Sequence, residues 1–596
     1  MNPTRIFDLL DYGVANFGNK DDMLCGKENG KWIKYSAAQY KEIATNFAYG
    51  LLKLKMKKGD KIATISNNRP EWNFIDMGIN MSGMIHTPVY PTITSEEFEY
   101  ILDHCEASIV IVSDKFLYKK IKPIAEKIKR IKSVYTIDQV EGAKNWKEIL
   151  ELGKNSADEK LQKELQKIKD SIHEDDLATI IYTSGTTNNP KGVMLSHKNF
   201  IYQSKNLDKV IELGPEHKAL SFLPLCHVLE RIVNYTYYYL GMSTYYAEGF
   251  QKLGENMKDI QPDTFATVPR IIERVYDKIM NKGKQLDGVK KKLFFWANDL
   301  AIDYELEGKN ILYKTKLAVA SNLIFNQWRK ALGGNVKFVI SGGAALQPRL
   351  AKIFWAAGMP IREGYGLTET APVITFNGAK PNIKIGTVGI KIGEEQEIKI
   401  AEDGEILFKG PNLMLGYYKN KKLTDEVIDK EGWFHTGDVG QIEDGRFLRI
   451  TDRKKEIFKL STGKYIAPQV IENIFKESLF IEQMMVVGQN EKFPGAVITP
   501  NFESLHNWAS ENKITFRDNQ ELVKKPKVIK RYQQEILELN KKLGQVERLA
   551  TFSLVCQEWT PATGELSPTL KKKRRFLSEK YKTQIEEMFE KKGKSN

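Results

Sequence analysis

At 596 residues the chain is long enough for several domains, or for one large body with a smaller one appended. With 41% hydrophobic and 28% charged residues it holds material for buried cores and charge for hydration, which excludes wholesale disorder. Lysine and arginine total 90 against 76 acids, a net charge of +14 that points to phosphate-bearing ligands, an anionic membrane surface or nucleic acid without choosing among them.

In chain order, Lys61–Ser66 and Ser108–Ser113 are short β-branched runs separated by helical patterns such as Ser95–His104, an alternation that predicts α/β layering. Lys154–Ile172, rich in Lys, Glu and Gln, reads as a solvated connecting helix before a buried strand at Leu177–Tyr182. Ile232–Ala247 is uncharged but carries several tyrosines, Asn234, Ser243 and Thr244. It falls short of the roughly 20 apolar residues of a spanning helix, so no transmembrane helix is predicted. It reads as a buried or half-buried segment, the alternative being an aromatic surface at a lipid interface. Gly283–Leu332 is mostly helical in pattern, while Val336–Ile340 and Glu405–Lys409 read as strands. No fixed-period repeat is present, which argues against a solenoid. After Asp452 the charge density rises, and a domain boundary is predicted there, giving a large domain over 1–452 and a small one over 453–596. Cys25, Cys105, Cys226 and Cys556 lie far apart without a CxxC pair or a secretory leader, which predicts reduced thiols in a cytoplasmic protein and no zinc site.

Tyr182–Val193 reads YTSGTTNNPKGV directly after the predicted buried strand. Small residues around Gly185 let backbone approach an anion. The hydroxyls of Thr183, Ser184, Thr186 and Thr187 donate to its oxygens, and Lys191 neutralises charge. This is not a Walker A loop, since Pro190 precedes Lys191 and Gly192 follows it. Pro190 disfavours helix at Asn189, and Gly192–Leu195 reads as an outgoing strand, so the loop is predicted to join two strands as a hairpin. The bland alternative is an ordinary Thr/Asn/Gly turn. The whole string, however, resembles the signature loop of the AMP-forming adenylating superfamily, which includes acyl-CoA synthetases, luciferases and peptide-synthetase adenylation domains.

Further segments carry the same resemblance in order. Glu363-Gly364-Tyr365-Gly366-Leu367-Thr368-Glu369-Thr370 looks like the second core motif, which implies Tyr365 against adenine, Thr368 at phosphate and Glu369 on Mg²⁺. Ser341-Gly342-Gly343-Ala344-Ala345 resembles the turn lying along the nucleotide, although alone it reads as a tight strand-to-helix connection. Trp433–Asp438 is similar to the TGD motif, implying that Asp438 accepts from the ribose hydroxyls. Thr451–Lys455 resembles the hinge, with Arg453 also reaching ribose. Phe458–Lys464 resembles the segment walling the pantetheine channel, where Gly463 admits the thin arm. Ser567–Arg575 resembles the ending that supplies a lysine bridging carboxylate and α-phosphate. Leu570 stands at the usual glycine, with Lys571 at the lysine and Lys572 and Lys573 as competitors.

Phe222–Arg231, Pro262–Ile279 and Trp328–Gly334 look like long-chain fatty acyl-CoA synthetase segments, so the similarity covers almost the whole chain. His227, in the first of these, is an acyl-tunnel candidate, the alternative being a structural histidine. The resemblance implies an α/β protein with a large N-terminal domain of layered sheets and helices and a smaller, mobile α+β C-terminal domain. It implies ATP, Mg²⁺ and coenzyme A, with a fatty acid activated through an acyl adenylate. A ligase for a medium-chain, aryl or amino acid is the alternative. A third reading is a catalytically reduced adenylate binder, motivated by Leu570. Peripheral contact with an anionic membrane at its inner face fits the charge, whereas nucleic acid is not expected, as no zinc finger or RNP pattern is present.

Overall fold

The structure is a computed structural model and describes residues 2–183, 189–567 and 570–593. The chain forms two compact units, the larger gathering residues up to Ala344 with Pro348–Ile398 and Phe408–His435, the smaller Ala345–Gln347, Lys399–Leu407 and the chain from Thr436 on.

The larger unit contains two mixed sheets. In one, of eight strands, Lys61–Ile65 lies between Ile85–Val89 and Ala107–Val112, with Ala63 opposite Thr87 on one side and Val110 on the other, all in parallel. Parallel strands covered on both faces read as continuous apolar runs, which is why these segments are legible without alternation. Ala63, Ile65, Val110 and Val112 pack with Phe98, Ile101, Leu117 and Ile121 from the Ser95–His104 and Lys115–Lys127 helices. Each helix starts where a side chain satisfies an orphan amide: Thr94 with Glu97 in a capping box, and Asp114 accepting from Leu117 N. The second sheet, of nine strands, has a parallel centre running Ser243–Tyr246, Lys218–Ser221, Thr264–Thr267, Phe338–Ser341, Ile361–Gly366.

The expected helix over Lys154–Ile172 is instead the end of one helix, Trp146–Asn155, and a second, Glu159–Asp170. Asp158 interrupts it, because its carboxylate accepts from Leu161 N at 2.8 Å and so starts a new helix. Ile232–Ala247 is buried as expected, split between the Val228–Tyr239 helix and the Ser243–Tyr246 strand. Among the described residues no helix is long and apolar enough to cross a membrane.

Arg231 on that helix is fully buried, and its charge is balanced by an equally buried Asp76 at 2.5 Å. Asp76 also meets His86 Nδ1 at 2.6 Å, and Thr64 meets the other ring nitrogen at 2.7 Å. Arg231 Nη1 donates to Thr179 Oγ1 at 2.7 Å, so this satisfied network grips the strand that enters the phosphate-loop candidate.

The smaller unit is α+β. Phe434–Glu443 and Phe447–Arg453 form an antiparallel pair that runs to Arg453. Ladder hydrogen bonds therefore group the stretch from Thr436 with the smaller unit, upstream of the boundary expected at Asp452. Ile481–Val487, Gly495–Pro500 and Thr551–Leu554 make a three-stranded sheet. Its core includes Ile471, Phe475, Ile498, Leu505 and Tyr532.

Candidate active site

Leu177–Thr183 and Lys191–Ser196 pair antiparallel, with Tyr182 opposite Gly192 and Thr183 opposite Lys191. The expected hairpin is present, and Lys191 stands on a strand. Ser184, Gly185, Thr186 and Thr187 lie outside the described residues. Tyr182 points into the core, where its hydroxyl meets His104 Nδ1 at 2.7 Å.

A residue that sequence reasoning missed, Tyr417, joins the two motifs. The Gly416–Tyr417 strand pairs with the outgoing strand of the hairpin, Tyr417 opposite Val193. The Lys191 ammonium sits 5.4 Å from the centre of the Tyr417 ring, and the Tyr417 hydroxyl donates to Glu369 Oε1 at 2.8 Å. Burial and the adjacent Glu369 carboxylate push the phenol far above its ordinary range, so it stays a donor. The only signal in the sequence was a short Gly-Tyr-Tyr run, Gly416–Tyr418, which does not distinguish this role from core packing.

The turn carrying Glu369 is held from several sides. Thr368–Thr370 is a single 3₁₀ turn, closed by Thr370 Oγ1 accepting from Leu367 N at 3.0 Å. Buried amides converge behind it. Gln203 Nε2 donates to Thr370 O at 3.2 Å and Val373 O at 2.8 Å, Asn412 Nδ2 to Thr370 O at 2.6 Å, and Gln396 Nε2 to Val373 O at 3.1 Å. Met414 N donates to Glu369 O at 2.8 Å. Gly366 permits the approach, because a Cβ there would sit 1.6 Å from Pro372 O.

Gly342 and Gly343 follow the Phe338–Ser341 strand, whose Ser341 is in register with Glu363. A Cβ on Gly342 would lie 3.2 Å from Leu229 Cδ2 and 3.6 Å from Gly364 O, so the Gly342–Ala344 turn and the Glu363–Gly366 strand are close neighbours. Gly343 has φ +81°. Glu363 and Tyr365 are buried. His227 caps the Val228–Tyr239 helix, its Nδ1 accepting from Leu229 N at 3.2 Å, with its ring 6.4 Å from that of Tyr90.

In the smaller unit, Asp438 and Arg453, both expected at ribose, are cross-strand partners joined by an ion pair of 3.0 Å. Buried Glu405 supports them, accepting from Gly437 N at 2.9 Å and from Lys454 Nζ at 2.8 Å. Asp452 accepts from Arg453 N at 2.6 Å and Gln469 N at 3.2 Å, and burial pushes its carboxyl up to about 6. Gly463 turns between Phe458–Lys459 and Tyr465–Ile466 with φ +83°, exposed and with nothing within 4 Å of a Cβ.

Beside Lys571, Leu570 N donates to Ser567 O at 2.8 Å and Ser567 N to Lys571 O at 2.7 Å. Leu570, at the position where glycine was expected, adopts φ +61° and packs on the cluster containing Met485, Trp559 and Leu577. Lys572 points inward to Glu472 and to Met484 O at 2.8 Å. Arg574 bridges Glu472 and Glu456, each at 2.7 Å. Burial works against the Glu472 charge, but Arg574 and Lys572 hold its carboxyl below the ordinary range. Lys571 is the exposed member of the three lysines, while Lys573 is half-buried.

Chemically, the larger unit offers a carboxylate and an ammonium organised around one tyrosine beside glycine turns. Among the described residues no group of three His, Cys, Asp or Glu side chains is placed to hold a metal by itself. One carboxylate is nevertheless a sufficient protein ligand for Mg²⁺ when substrate phosphates and water complete the shell.

The AMP-binding enzyme family matches residues 12–418, and the AMP-binding enzyme C-terminal domain matches 455–593. A relative, the long-chain-fatty-acid–CoA ligase FadD15 of Mycobacterium bovis, is 30% identical over 94% of this chain and 93% of its own length. The long-chain-fatty-acid–CoA ligase 6 of Mus musculus is 32% identical over 93% of this chain and 83% of its own. Among solved structures, the adenylation domain of a carboxylate reductase from Mycobacterium chelonae is similar with a TM-score of 0.76 at 19% identity, covering 98% of this chain and 90% of that one. A matched core and C-terminal domain, together with near-full-length relatives, place the chain in the AMP-binding enzyme family, with that family's large N-terminal and small C-terminal domains.

Proposed function

We propose that the chain is an AMP-forming long-chain fatty acid–CoA ligase. The observation that carries this reading is the Lys191–Tyr417–Glu369 assembly on the signature hairpin, in a chain resembling long-chain ligases over nearly its whole length. In the first half-reaction a fatty-acid carboxylate oxygen attacks the α-phosphorus of ATP, the bond to the β-phosphate oxygen breaks, and pyrophosphate leaves. The barrier is repulsion among anions, so the protein's work is positioning and positive charge rather than a nucleophile. Lys191 stabilises the departing phosphates and Lys571 the charge at the α-phosphate. Glu369 is the residue that would hold Mg²⁺, which would supply further charge neutralisation. Tyr365 stacks on adenine, while Asp438 accepts from the ribose diol with Arg453 beside it.

In the second half-reaction the thiol of coenzyme A attacks the acyl carbon, the acyl–phosphate bond breaks, and AMP leaves with the thioester formed. Lys571 is no longer needed. A hinge at Asp452–Lys455 would turn the 453–596 portion, withdrawing Lys571 and presenting the exposed Gly463 turn.

The test is to incubate the purified protein with ATP and Mg²⁺ and a panel of fatty, aryl and amino acids, with and without coenzyme A, identifying every nucleotide and acyl product. AMP, pyrophosphate and long-chain acyl-CoA appearing together are expected. ADP, or turnover only with aryl or amino acids, would overturn the reading.

A further inference from the structure

Lys571 carries its charge on a flexible stem, so its aim depends on how firmly the backbone beneath it is held. On one side of it Leu570 packs on the cluster of Met485, Trp559 and Leu577, and on the other Lys572 reaches Glu472 and Met484 O. Lys573 N donates to Glu565 O at 2.8 Å, and Leu566 and Lys572 form an isolated antiparallel bridge. These contacts fix the segment to the core of the smaller unit, and one more reaches toward the hinge.

Arg574 presents one guanidinium to two carboxylates: Nη2 meets Glu472 Oε1 and Nε meets Glu456 Oε2, each at 2.7 Å. Glu472 is 3% exposed and sits on the Pro468–Phe475 helix, where its Oε1 also accepts from Val486 N at 2.9 Å. Glu456 is 24% exposed and directly follows the hinge candidate Asp452–Lys455. Gln469 N donates to Asp452 Oδ2 at 3.2 Å, so the same helix also holds the hinge. The other charges acting here are Lys476, which repels Lys572, and Asp452, which attracts Arg574 and repels Glu456. Glu456, Glu472 and Asp452 therefore face Lys572, Arg574 and Lys476, a balanced network with no excess charge to draw an outside ion. The planar fork of arginine bonds two carboxylates at once in fixed directions, which an ammonium on a flexible stem does not reproduce.

We propose that Arg574 and Glu456 are positioning residues for the first half-reaction: their ion pair ties the Lys571 segment to the end of the hinge, so that Lys571 keeps its place on the smaller unit when the hinge moves. This deepens the ligase reading and rests on it, because both residues act through the role given there to Lys571. The Gly463 turn does not depend on the pair. It is held by Leu460 and Ile466 in the core, by Leu460 N donating to Lys464 O at 2.8 Å and by Ser461 N donating to Glu491 O at 2.9 Å. Loss of the pair therefore reaches one half-reaction and spares the other.

The experiment measures the two half-reactions separately in the full-length wild type, Glu456→Gln, Glu456→Asp and Arg574→Lys. One assay follows single-turnover pyrophosphate release with ATP, Mg²⁺ and a fatty acid, the other thioester formation from supplied acyl adenylate and coenzyme A. Glu456→Gln keeps the shape of a partly exposed side chain, and Arg574→Lys keeps a cation beside Glu472 while giving up the bridge, so both are expected to fold with denaturation midpoints near wild type. Pyrophosphate release should slow roughly 10–100-fold in both, with half-saturating ATP and fatty acid little changed and thioester formation within about twofold of wild type. Glu456→Asp, which retains the charge, should recover most of the loss. Equal loss of both half-reactions, as a merely structural role would produce, would overturn the inference, and so would pyrophosphate release at the wild-type rate in either Glu456→Gln or Arg574→Lys. A wild type that adenylates only aryl or amino acids refutes the fatty-acid reading alone, since the same comparison is then made with that acid. Wild type without turnover on any acid refutes both.

Discussion

Tyr417 does two jobs with one side chain: its ring faces the Lys191 ammonium and its hydroxyl fixes Glu369 Oε1. Replacing it with phenylalanine separates them, because the ring stays and the donor goes. Tyr417→Phe is expected to cost only about 1 kcal/mol of stability, the usual net worth of one hydrogen bond. Its larger effect falls on the carboxylate, which loses the contact that orients it. The Mg²⁺ concentration giving half-maximal pyrophosphate release should rise several-fold, with fatty-acid KM little changed. A Mg²⁺ titration checks this, and an unchanged curve would remove Tyr417 from the site. Leu570 shows the same economy in a different form. A left-handed backbone costs a non-glycine residue about 1–2 kcal/mol, and Leu570 offsets that by packing on the Met485 and Trp559 cluster. A leucine in place of glycine therefore keeps the turn's shape and adds an anchor, which removes the motive for reading the chain as a catalytically reduced binder.

From Leu570 to Lys572 the side chains alternate in direction. Leu570 packs on the core, Lys572 is drawn inward by Glu472, and Lys571 between them is exposed. The two kinds of lysine should fail differently. Lys571 is exposed, so Lys571→Ala should leave the denaturation midpoint nearly unchanged while acyl-adenylate formation falls by about 10²–10³-fold, the usual loss for a group stabilising developing charge. Thioester formation from supplied acyl adenylate should survive, and equal loss of both half-reactions would refute the role given to Lys571. Glu472→Gln instead leaves Lys572 and Arg574 without their shared carboxylate inside the smaller unit. Stranding buried charge typically costs about 3–5 kcal/mol, and a denaturant melt of the variant measures it.

At the scale of the whole chain, what the sequence made legible was what local chemistry decides. Pro190 and Gly192 predicted the hairpin, the β-branched runs predicted the parallel strands, and the order of motifs predicted both domains of the fold. What stayed hidden depends on contacts between distant segments: Tyr417 against Lys191, the three amides behind the Glu369 turn, and the Arg231–Asp76–His86 network. Neutral amides and single charged residues carry no periodic signal, so only folding reveals them. The same burial makes global stability depend on pH. Glu230 is 1% exposed, accepts from Ser221 Oγ at 2.6 Å, and its Oε2 has no hydrogen-bond partner among the described residues. Desolvation, only partly offset by Ser221 and Asn234, raises its carboxyl from 4.5 to about 8. Below 4.5 the carboxyl is protonated folded or unfolded and contributes nothing to the pH dependence. Between 4.5 and about 8 the unfolded chain ionises while the folded one holds its proton, so stability falls as pH rises, and above about 8 the loss is complete. Near neutrality the accumulated cost is about 3 kcal/mol. Glu230→Gln resembles the protonated acid and cannot ionise. The variant should match wild type in acid and exceed it increasingly toward alkaline pH. Denaturant midpoints of the two proteins across that range provide the measurement, and parallel curves would mean that Glu230 is ionised in the folded protein.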